Sequence, residues 1–101
     1  MNPKTILLVD DERPILKAFQ RIFMDTDYEI LTANSAMEAL GLLTSNKVHM
    51  IISDMRMPEM DGYELLEKVK LLYPSIIRII LSGYSDETAV LRALQRNLAK
   101  L

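Results

Sequence analysis

Asp10 and Asp11 follow the apolar run Ile6-Leu7-Leu8-Val9. Asp54 follows a second run, Val48-His49-Met50-Ile51-Ile52, after Ser53. Ser82 follows a third, Ile76-Ile77-Arg78-Ile79-Ile80-Leu81. In an open parallel sheet, chemistry gathers beyond the carboxyl ends of the strands. If the first and third strands are neighbours, three carboxylates converge at one end of the sheet. Like charges a few ångströms apart raise each other's pKa values, so such a cluster is unfavourable without a cation. A hard divalent ion with oxygen ligands removes that conflict, and Mg²⁺ takes one or two carboxylates with waters and phosphate oxygens. A carboxylate beside it can attack a phosphoryl donor to give an aspartyl phosphate. The Ser82 hydroxyl could then hydrogen-bond a phosphoryl oxygen. A lone Asp after a strand is commonly a helix cap, and Asp11 or Glu12 fits that role. Three acidic positions at like strand ends put the metal reading beside it.

Positioning these residues requires alternating strands and helices. The run Ile6 to Val9 is continuously apolar, the pattern of a strand buried on both faces. Tyr28 to Ala33, interrupted by Glu29 and Thr32, suits a strand nearer an edge. Between the strands, Ile15, Phe19, Ile22 and Phe23 share one helical face, with Pro14 tolerated in the first turn. Ala36, Ala39, Leu40 and Leu43 share another, and Ser35 with Glu38 forms a capping-box pattern. Leu65, Val69 and Leu72 define a third helix opened by Asp61-Gly62 and stopped near Pro74. A fourth begins near Ser85-Asp86. The order β-α-β-α-β-α-β-α implies right-handed crossovers and an open parallel α/β sheet flanked by helices.

The length suits one small domain. With a formal net charge of -2, a broad nucleic-acid footprint is not expected, because phosphate binding needs a basic surface. The absence of cysteine excludes disulfides and cysteine–zinc sites. His49, the single histidine, cannot build a His-based metal site alone and reads as a packing residue in a strand. No apolar run approaches the ~20 residues that span a bilayer, and no secretory signal opens the chain. The expectation is a soluble, cytoplasmic protein away from membranes. The seven methionines are expected to fill core gaps or flank the site loop.

Four segments together resemble response-regulator receiver domains of two-component signalling. They are Val9-Asp10-Asp11-Glu12, Ser53-Asp54-Met55-Arg56-Met57-Pro58, Met60-Asp61-Gly62 and Leu81-Ser82-Gly83-Tyr84, in order over nearly the whole chain. The resemblance implies a flavodoxin-like fold, a parallel sheet in order 2-1-3-4-5 with five helices. It implies that Asp54 is the phosphoacceptor, that Asp11 binds Mg²⁺ directly and Asp10 largely through water, and that the Arg56 carbonyl is a further ligand. Ser82 would be the switch hydroxyl, and the Arg56 side chain would sit at the pocket mouth. The phosphodonor would be a sensor histidine kinase or a phosphotransfer protein. Pro58 stiffens the loop after Asp54, and Gly62 offers a permissive backbone where the third helix starts.

The family also carries a Lys-Pro motif after a fifth strand, then a fifth helix. Lys100 is followed by Leu101, so the family lysine role is not transferred to it. The span 1–101 therefore reads as one receiver domain incomplete at its C-terminus, with order 2-1-3-4. Ile76 to Leu81 would then be an open edge, a pairing hazard. Leu91, Leu94, Leu98 and Leu101 form a stripe that either packs on its own core or meets a second copy. Self-association through that edge or helix is expected.

The leading function is a phosphorylation-controlled switch rather than an enzyme. The alternative is a receiver-like interaction module that is not phosphorylated. A metal-dependent phosphatase with an Asp nucleophile would need a second acid two residues on, where Arg56 stands.

Overall fold

Helices cover both faces of the sheet, which is why its central strands are buried at every position. The computed structural model describes residues 3–81, 96, 100 and 101. Strands β1 (Thr5–Val9), β2 (Glu29–Ala33), β3 (Met50–Asp54) and β4 (Ile77–Leu81) form a parallel sheet in the order β2-β1-β3-β4. Helices α1 (Arg13–Ile22), α2 (Ala36–Ser45) and α3 (Gly62–Leu72) make the crossovers. The order makes β1 and β3 neighbours, the condition on which the convergence of carboxylates depended.

Successive side chains on a strand point to opposite faces. Leu7, Val9 and Ile51 therefore join Ala36, Ala39 and Leu43 of α2 and Leu65 and Val69 of α3. Ile6, Leu8, Met50, Ile52 and Ile79 join Leu16 of α1 and Phe23 just beyond it. Each fully buried Leu or Ile contributes about 1.5–3 kcal/mol, so this two-sided core holds the strand ends in register. β2 lies at one end of the order and is only partly buried, as the interrupted Tyr28–Ala33 pattern predicts. Among the described residues β4 is the other end strand.

Several expectations shift in detail. In α1 the buried residue is Leu16, with Phe19 and Ile22 only partly covered. In α3, Leu72 is 65% exposed, because Tyr73 packs against the core in its place. Met50 is buried, and Met57 and Met60 pack on the core from the site loop, but Met24 and Met37 are exposed rather than gap fillers. His49 lies just before β3, at the end of the strand away from Asp54. It has a definite partner: its Nδ1 accepts the Thr5 N–H at 3.0 Å. Burial, then the Lys4 and Lys47 charges, hold its pKa below the usual value.

The fourth helix and the leucines at 91, 94 and 98 lie outside the described residues. Leu101 packs, partly buried, against the cluster under α1, and Lys100 is exposed. Among the described residues no helix is long and apolar enough to cross a membrane.

Candidate functional site

The β1–β3 register ends on the pair Val9 and Ser53. One residue further along each strand come Asp10 and Asp54, so the pairing itself delivers two carboxylates side by side. Asp11 follows at the start of the next loop. Oxygens of Asp10, Asp11 and Asp54 lie within 4.8 Å of one another. Asp10 and Asp54 are buried, and Asp11 is exposed.

Asp10 is anchored on both sides. Its N–H donates to the Ala33 carbonyl at 3.1 Å, tying the end of β1 to β2. Its Oδ1 accepts the Glu12 N–H at 2.9 Å, an Asx turn that leads into α1. Glu12 is the N-cap of α1, yet no side chain caps this helix, so the cap expected of Asp11 or Glu12 does not form. A side-chain cap bonds the N–H of the second or third helical residue. Pro14, in the second position after Glu12, has no N–H to offer. The Asp11 carboxylate is thereby left to the acidic cluster.

Asp54 ends β3, and its Oδ2 is buried with no hydrogen-bond partner among the described residues. Such an orphaned acceptor costs about 1–3 kcal/mol, more when charged. Burial raises the Asp54 pKa, with the Asp11 and Glu12 charges adding to it, while the Met55 and Arg56 N–H groups work against it. Burial likewise pushes Asp10 up to about 6 against the Glu12 hydrogen bond, aided by the charges of Asp54, Asp11 and Glu12. The cluster is thus electrostatically unsatisfied and made of hard oxygen donors, which fits a divalent cation such as Mg²⁺.

The loop after Asp54 is tightly held. Gly62 N–H donates to the Met55 carbonyl at 3.0 Å, and the Asp61 side chain caps α3 by accepting the Glu64 N–H at 2.8 Å. Ser35 caps α2 similarly, accepting the Glu38 N–H at 3.1 Å. Glu59 adopts φ 69°, a left-handed conformation that sequence reasoning missed, since Glu carries no signal for it. Arg56 lies in this loop with its side chain exposed. Ser82, the expected hydroxyl, lies outside the described residues.

The response regulator receiver domain family matches residues 6–100. The hydrogenase transcriptional regulatory protein HoxA of Cupriavidus necator is 40% identical over 86% of this chain and 18% of its own length. Sporulation initiation phosphotransferase F of Bacillus subtilis is 33% identical over 85% of this chain and 68% of its own. The solved signal receiver domain of an HD domain-containing protein from Pseudomonas fluorescens is 37% identical. It superposes with a TM-score of 0.79, over 91% of this chain and 74% of that one. The chain spans about a fifth of the length of the first transcriptional regulators it matches.

Proposed function

The chain belongs to the response regulator receiver domain family, and from that membership we propose that it is a Mg²⁺-dependent switch of a two-component system, phosphorylated on Asp54. Receiver domains are signalling domains that accept phosphoryl groups. The observation that carries the assignment to Asp54 is its buried Oδ2, without a hydrogen-bond partner among the described residues, in the mouth formed with Asp10 and Asp11. In the proposed step an Asp54 carboxylate oxygen forms a bond to phosphorus. The bond from phosphorus to a histidine nitrogen of the donor breaks, and its electron pair leaves on that nitrogen. The donor is a sensor histidine kinase or a phosphotransfer protein.

Asp10, Asp11 and Asp54 would hold Mg²⁺, with the Arg56 carbonyl as a further ligand. When bound, the ion offsets negative charge on the transferring phosphoryl group. Asp10 orients the cluster through its bond to the Glu12 N–H, and the Met55 and Arg56 N–H groups favour the charged, nucleophilic form of Asp54. Ser82 would bond the acquired phosphoryl group and carry the change to the partner-binding surface.

The test is intact mass after incubation with a small acyl phosphate and Mg²⁺. One added phosphoryl group, lost with Asp54→Asn and with chelator, is expected. A chain that stays unmodified while the ion binds would favour an interaction module that is not phosphorylated.

A further inference from the structure

The peptide bond that follows the acceptor is met by two residues outside the acidic cluster. Ser53 is wholly buried, and its hydroxyl donates to the Asp54 carbonyl oxygen at 2.9 Å. Gly62, at the start of α3, also closes on that carbonyl. A Cβ at Gly62 would overlap the Asp54 carbonyl oxygen and lie 3.0 Å from its carbon and 3.1 Å from the Met55 Cα. The Gly62 N–H also holds the Met55 carbonyl at 3.0 Å. Gly62 does not adopt the left-handed φ that favours glycine, so clearance, rather than backbone freedom, excludes a side chain there.

The three atoms nearest the added carbon are all backbone, which cannot swing aside as a long side chain can. A methyl group at position 62 must therefore push α3 away or turn the Asp54–Met55 peptide. The Asp54 carboxylate hangs from the same Cα as that carbonyl, and the Arg56 N–H that faces it lies two residues on. We infer that Ser53 and Gly62 are positioning residues for phosphoryl transfer, clamping the Asp54–Met55 peptide so that the carboxylate stays aligned in the acidic mouth. The inference rests on the reading of Asp54 as phosphoacceptor. Neither residue touches the phosphoryl group; both act through the backbone of the residue that does. Misplacing a reacting group by about 1 Å can cost on the order of a hundredfold in rate.

Gly41 supplies an internal control. It lies within α2, and a Cβ there would meet nothing within 4 Å. The experiment compares wild type, Gly62→Ala, Ser53→Ala and Gly41→Ala. It measures the rate of phosphoryl uptake from acetyl phosphate at saturating donor and Mg²⁺, the donor KM, Mg²⁺ affinity by NMR, and the folded fraction by circular dichroism.

Gly62→Ala is expected to lower the maximal rate by at least about tenfold and weaken Mg²⁺ binding, with donor KM little changed. Ser53→Ala should lower the rate several-fold, and Gly41→Ala should match wild type. If Gly62→Ala fails to fold, Ser53→Ala decides, because it deletes one oxygen and fills no space. Wild-type rates per folded molecule in Ser53→Ala, or in a folded Gly62→Ala, overturn the clamp while leaving Asp54 as acceptor. A wild-type chain that takes up no phosphoryl group overturns the functional reading, and the clamp falls with it.

Discussion

Replacing Asp10 by Asn should stabilise the cation-free fold at neutral pH. Asp10 is 2% exposed, and burial is the first cause of its elevated pKa. A carboxyl whose pKa rises on folding stabilises the fold below its unfolded value and loses that stabilisation as pH climbs through its folded value. For Asp10 the window runs from 3.8 to about 6. At about 1.4 kcal/mol per pH unit, ionised Asp10 destabilises the fold by up to about 3 kcal/mol above that window. Asparagine removes the charge and keeps an Oδ1 acceptor for the Glu12 N–H, so the Asx turn survives.

The assay is urea denaturation in chelator from pH 4 to 7.5. Asp10→Asn should exceed wild type in stability at pH 7.5, and the gap should close toward pH 4. Mg²⁺ should then stabilise wild type more than the variant, because binding to the folded state adds RT ln(1 + [L]/Kd). An Asp10→Asn chain that is less stable than wild type at pH 7.5 without cation would refute the reasoning. So would a gap that does not change with pH.

Glu59→Gly should stabilise the fold by up to about 1 kcal/mol in thermal melts, because φ 69° strains any residue with a Cβ; a loss of stability would show that the Glu59 side chain makes a compensating contact. Asp61→Ala should cost about 0.5–2 kcal/mol of denaturant stability by removing the acceptor for the Glu64 N–H, and Asp61→Asn should restore most of it.

The parts of the fold legible in the sequence were those with a periodic physical cause. Ile6 to Val9 read as a strand buried on both faces and Val48 to Ile52 as a further strand, and helices lie on either side of them. The Ser35 cap was legible because a hydroxyl three residues before Glu38 has one favourable use. The acidic site was legible only conditionally. Spacing placed Asp10, Asp11 and Asp54 at strand ends, but their meeting depends on β1 pairing with β3, a non-local fact carried by the sheet order.

What the sequence hid depends on individual contacts. Leu16 and Ile15 are adjacent and both apolar, and the face that α1 turns to the core selects Leu16. Leu72 continues the α3 stripe, yet Tyr73 covers the core there instead. Gly62 looked like a flexible start to a helix, whereas its neighbour is the Asp54 carbonyl. The Thr5 N–H on His49 spans a sequence separation no local pattern reports.

The central claim is that carboxylates from β1 and β3 share one cation beside the phosphoacceptor. An NMR titration of the chain with Mg²⁺ tests it most directly. Amide shifts should move at residues 10–12 and 54–56, saturate as a single site, and vanish in Asp11→Asn, whose exposed position spares the fold. Shifts centred elsewhere, or an undiminished response in Asp11→Asn, would contradict it.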